Sequence, residues 1–107
     1  MTIEHLSAAS IAALATDEGQ ALSLMLDEAG GDVLDRSRGL RSYAFSAAAN
    51  GVERAVVETV VRAGYSKYVA PLIRKYNPPG PDGLYIEAGE WLVVYLCLMA
   101  YDSIRKD

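Results

Sequence analysis

Apolar residues recur every three or four positions through most of this chain, and the runs are separated by glycines, prolines and short polar caps. That period matches the turn of an α-helix and not the two-residue repeat of a strand. Ile3, Leu6, Ile11 and Leu14 stand at roughly helical spacing in an alanine-rich opening stretch. Thr16 or Asp17 can cap a second helix, with Gln20 three residues after Asp17 as a capping box requires, and Leu22, Met25, Leu26 and Ala29 form its apolar stripe. Gly30 and Gly31 supply a stop, because glycine enters the left-handed C-terminal conformation at little cost. Asp32 can cap a third helix with Leu40, Ala44, Ala47 and Ala48 on one face, and Asn50-Gly51 ends it.

The next segment, VERAVVETVVRAG, places Val52, Val56, Thr59, Val60 and Ala63 on one side. Its β-branched residues would suit a strand. The i,i+4 spacing of Glu58 and Arg62 and the flanking charges favour an amphipathic helix. Gly64 is expected to interrupt it, and Ser66 to cap a short helix carrying Tyr68, Leu72, Ile73 and Tyr76, with Pro71 in its first turn or kinking it. Three prolines and two glycines in KYNPPGPDGL then predict an extended run from Asn77 to Asp82. A last helix is predicted from about Leu84 to Ile104. Through Trp91, Val93, Val94, Leu96, Cys97 and Leu98 it is apolar on every side, so it should lie centrally and be covered all round. The alternative is that LYIEAGEWLVVYL forms a β-hairpin turning at Ala88-Gly89. The pattern as a whole predicts one all-α domain over residues 1–107, a compact bundle of four to six short helices.

Length changes this picture. A chain of 107 residues buries only about two-thirds of its unfolded surface, yet 51% of its residues are hydrophobic. The surplus points to a subunit interface, hence to a homo-oligomer. The longest apolar run, Trp91 to Tyr101, rises only about 16 Å as a helix against a hydrocarbon thickness of about 30 Å, so no membrane span is expected. MTIEHLSAAS lacks a basic region followed by an apolar core and does not read as a secretory signal. A single cysteine fits a reducing, cytoplasmic setting.

Charge is sorted along the chain. Residues 1–35 hold seven acids and no lysine or arginine, a net −7; residues 36–81 hold eight bases against two acids, a net +6; residues 82–107 are net −3. The overall −4 argues against nonspecific nucleic-acid binding. The oppositely charged segments could neutralise one another within the bundle, or meet complementary faces of another chain. A third reading is an anion site, such as one for a nucleotide. Arg62, Lys67, Arg74 and Lys75 would contact phosphate, beside Asn77, and Tyr65, Tyr68 and Tyr76 would stack on a base. The acidic N-terminal segment could also act as a decoy of nucleic acid.

Catalytic material is sparse. His5 has no obvious partner, Cys97 sits in the most apolar run, and the serines have no adjacent histidine. Glu87 and Glu90, three apart, suit the dipole at a helix start better than acid–base work. No glycine pattern of the phosphate-binding loops occurs, and no metal or cofactor is implied. Trp91 and Tyr95, four apart, are expected to pack in the core; if exposed instead, they would anchor protein contacts as large rigid aromatics, and with Leu98 and Tyr101 they are the candidate interface residues. The expected function is a small non-catalytic protein-binding module of the inhibitor, immunity or adaptor type; the alternative is a binder or sponge for an anionic small molecule.

Overall fold

The computed structural model describes residues 6–76 and 84–105, apart from the side chains of 76 and 84–87. It is an all-α bundle. In chain order the helices are α1 (Ala8–Ala15), α2 (Asp17–Glu28), α3 (Val33–Ala49), α4 (Arg54–Gly64), a π turn (Tyr65–Val69), α5 (Ala70–Tyr76) and α6 (Leu84–Ile104). The span 84–96 is therefore helix and not a hairpin. His5 and the proline-rich stretch from Asn77 to Gly83 lie outside the described residues.

Local chemistry sets the helix ends. Thr16 serves two of them at once: its hydroxyl donates to the Ala13 carbonyl at 2.6 Å, closing α1, and accepts from the Gly19 amide at 3.1 Å, opening α2. Gln20 does not complete a capping box with Asp17; its side-chain amide reaches back to the Ala15 carbonyl. Asp32 caps α3 by accepting from the Asp35 amide at 2.7 Å. At the other end Gly51, with φ of 79°, lets the Val52 and Gly51 amides turn back to the carbonyls of Ala47 and Ala48. This is the paired closure that a left-handed residue after a helix makes possible.

Residues 54–76 depart from the expected break. Gly64 does not interrupt the helix and Ser66 does not cap a new one: α4 runs through the π turn into α5. Pro71 explains the wide turn. Inside a helix it removes a donor and its ring presses on the carbonyl four residues back, here that of Lys67. The backbone yields to a five-residue repeat just before it, with the Ala70 amide bonded to the Tyr65 carbonyl. Arg36 of α3 donates to the Tyr68 carbonyl at 2.8 Å and ties the turn to the bundle. Gly64 is needed for contact instead. A Cβ built there would stand 2.5 Å from Leu22 Cδ2 and 2.8 Å from Leu40 Cδ2, so its absence lets α4 press against α2 and α3.

The core joins Leu22 and Leu26 of α2, Leu40, Tyr43, Ala44, Ala47 and Ala48 of α3, and Val57, Val60 and Val61 of α4 to the inner side of α6. Burying each Leu or Val of this set contributes about 2 kcal/mol. The buried face of α4 runs through Val57, Val60, Val61 and Gly64. Val56 and Thr59, expected inside, lie at the surface. The C-terminal helix packs chiefly on α3 and next on α4. The described residues do not give it the expected all-round cover: one side is packed and the other is open.

Candidate functional site

An α-helix advances about 100° per residue, and that rotation separates α6 into two arcs. Val94, Cys97, Leu98, Ala100 and Tyr101 face the core and are buried. Trp91, Leu92, Tyr95, Leu96 and Met99 fall within an arc of about 140° on the opposite side and are 41–65% exposed. Trp91 and Tyr95, one turn apart, stack with ring centroids 5.5 Å apart and planes 5° from parallel. Applied to whole-residue areas, those exposures leave roughly 600 Å² of apolar and aromatic surface in the arc, the upper end of what the largest patch on a monomer presents.

The open arc continues onto its neighbours. Along α3, Leu34, Arg38, Arg41 and Phe45 recur at four, three and four residues, so they share one face. Leu34 and Phe45 are exposed, as are both arginines. A cleft of about 270 Å³ runs between this face and α6, lined by Leu34, Arg38 and Arg41 on one wall and Val93, Leu96 and Cys97 on the other. Neither arginine forms an ion pair with an acid among the described residues. On the other flank a shallower hollow of about 110 Å³ is bounded by Arg62 of α4 and by Trp91, Val94, Tyr95 and Leu98. A wider hollow of about 660 Å³ lies apart from this face, between the α1–α2 corner and α4. Its walls carry small side chains, Ala13, Ala55, Val56 and Val60, and one of its carboxylates, Glu18, already accepts the Tyr43 hydroxyl at 2.7 Å.

Two of the four interface candidates read from the sequence, Trp91 and Tyr95, stand on the open arc. Leu98 and Tyr101 do not: both are buried, and the Tyr101 hydroxyl donates to the Val52 carbonyl. They lie about 20° and 80° back from Trp91 around the helix, toward the core. Leu92, Leu96 and Met99, and the α3 stripe beside them, were not singled out. Helical rotation from Trp91 and Tyr95 groups Leu92, Leu96 and Met99 on one side, and only the choice between the two arcs needed the fold.

The residues of the anion reading follow one another along α4, the π turn and α5, and several are engaged elsewhere. Arg62 lies between two carboxylates, bonded to Glu58 at 3.2 Å and to Glu90 at 3.1 Å. Tyr65 is buried, and that burial, with the Glu90 charge nearby, raises its pKa above the ordinary value. Its ring offers no stacking surface. Tyr68 is half-buried and donates to the Ser23 hydroxyl at 3.0 Å, while the exposed Lys67 ammonium stands 5.1 Å from the Tyr68 ring centroid. Arg74 and Lys75 are exposed on α5, and both have partners. The Tyr76 side chain and Asn77 lie outside the described residues.

Charge sorting is partly answered within the chain. Arg54 and Arg62 of the basic middle segment pair with Asp102 and Glu90 of the acidic C-terminal one, at 3.0 and 3.1 Å, so α4 and α6 are clasped at both ends. Burial pushes the Cys97 thiol up to about 12, with Arg41 opposing the shift weakly, so it is a packing group and a poor nucleophile. No group of three or more His, Cys, Asp or Glu side chains among the described residues is placed to hold a metal ion. Nor is any helix there long and apolar enough to cross a membrane. No protein-family model matches the chain, and neither a curated protein nor a solved structure is found similar to it.

Proposed function

We propose that this chain is a non-catalytic protein-binding module, of the inhibitor, immunity or adaptor kind, whose open α6 face docks another polypeptide. One observation carries the reading: five large apolar side chains, Trp91, Leu92, Tyr95, Leu96 and Met99, share an exposed arc on a helix whose opposite arc is already packed. Leaving such a patch in water forgoes the burial free energy that the inner arc collects, at about 25 cal/mol per Å². The anatomy also fits an interface, with an apolar centre carrying two aromatic anchors and a polar rim of Arg38, Arg41 and Arg62.

Site-specific photo-crosslinking in the native cell tests the reading. A photoreactive residue at Leu92 or Met99 is expected to give covalent adducts with a polypeptide, and the same residue at the exposed Leu24 of α2 is not. Absence of adducts from both positions on the arc overturns it.

A further inference from the structure

Resting on the reading of α6 as a docking face, we infer that the polypeptide covering it is a second copy of this chain, packed α6 against α6 about a two-fold axis.

Area is the first support. With Leu34 and Phe45 of α3 added, the exposed apolar surface around the arc comes to roughly 800 Å², the share each partner contributes to an interface of standard size. Nothing smaller than a folded surface or a long helix covers that much at once.

The character of the arc is the second. From Trp91 to Met99 its outward positions carry no charge. A two-fold contact sets a surface against its own image, so every charge at its centre would meet a like charge or lose its water unpaired. This centre has none. The charges flank this centre: Arg38 and Arg41 stand between Leu34 and Phe45 on the α3 side, and Asp102 pairs with Arg54 at the last turn. There water and salt screen them.

Preorganisation is the third. Trp91 and Tyr95 are already stacked on one another in the single chain, so docking them forfeits less rotamer freedom than ordering two free rings. A closed two-fold contact also hides the whole arc in both copies, whereas a head-to-tail contact would leave one end open and propagate.

Trp91 is the only tryptophan in the chain, so its fluorescence reports on this face alone. Sedimentation equilibrium from about 1 to 100 µM is expected to give the mass of two chains at the upper end, with Trp91 emission moving to shorter wavelength along the same curve. Leu92→Glu should weaken association by about 100-fold with unchanged helical circular dichroism, and the milder Met99→Gln by about 10-fold. Leu24→Glu should leave it unchanged. A single-chain mass up to about 100 µM, or a dimer indifferent to both Leu92→Glu and Met99→Gln, overturns the inference. The crosslinking experiment separates the two ideas. Adducts from Leu92 with the mass of two chains support the second copy, and adducts with a different protein overturn it while leaving the docking face in place.

Discussion

The two arcs of α6 are built from the same kinds of residue and meet opposite fates. Inside stand Val94, Cys97, Leu98, Ala100 and Tyr101; outside stand Trp91, Leu92, Tyr95, Leu96 and Met99. Hydropathy does not distinguish them. What differs is what each one faces. The inner arc meets the small-residue face of α3, Ala44, Ala47 and Ala48, and the valines of α4, surfaces that let a helix approach closely. The outer arc, bordered only at its flanks by α3 and α4, is left largely open by the described residues. An apolar helix in a small bundle thus reports two surfaces, one for folding and one for association, and only the first contributes to the stability of a single copy.

Leucines six positions apart give the largest contrast. Leu98→Ala on the inner arc should lower unfolding free energy by about 2–4 kcal/mol. Leu92→Ala on the outer arc should cost less than about 0.5 kcal/mol. Urea denaturation of both variants, at a concentration where the chain is monomeric, makes the comparison; equal losses would erase the distinction between the arcs. Next in size is a pH effect that starts from the inner arc. The Cys97 thiol ionises far less readily folded than unfolded, so the folded state holds its proton longer. Stability is therefore fully present below the thiol's ordinary value of 9.0 and is lost as pH rises toward about 12. Denaturation midpoints measured across that window should fall, and Cys97→Ala should flatten part of the slope. The Tyr43 phenol, raised by its burial and by its bond to Glu18, supplies a second contribution of the same sign.

Smaller again is the effect of crowding the inner layer. Gly64→Ala should destabilise by about 1–2 kcal/mol, because the strain of meeting Leu22 and Leu40 exceeds the gain in helix propensity. A thermal melt that rises instead would mean those leucines move aside freely. Least of all, Arg54→Ala breaks an exposed pair with Asp102 and should cost under about 1 kcal/mol, vanishing at high salt.

The residues that proved legible in the sequence act on near neighbours. Thr16, Asp32 and Gly51 start or stop helices through bonds spanning a few residues, and Gly30 turns the chain after α2 with a φ of 101°, so their types and order suffice. The errors fall where a distant partner decides. Gly64 read as a break because nothing local says that Leu22 and Leu40 will press against it. Of the α4 stripe, Val60 and Ala63 are buried as their spacing implies, while Val56 and Thr59 are not, because both sides of that helix carry valine and only α2, α3 and α6 select Val57 and Val61. For the candidate site, Trp91 and Tyr95 are visible in the sequence as large aromatics, but their type suits core packing as well, and only the fold shows that they stand outside while Leu98 and Tyr101 turn toward α3 and α4. The α3 stripe of Leu34, Arg38, Arg41 and Phe45 has helical spacing in the sequence, yet its place beside α6 exists only in three dimensions.

The wide turn at Tyr65–Val69 amounts to one surplus residue spliced into an otherwise regular rod. Excising a single position there would let the rod rewind to the regular repeat with little change of bearing downstream, because a wide turn spreads its extra residue over nearly the same rotation. Arg74 and Lys75 would keep the direction in which they project. The same excision within the regular turns of α4 would instead swing all that follows by about 100° around the axis, so the wide turn is the one place in this rod where a change of length is absorbed.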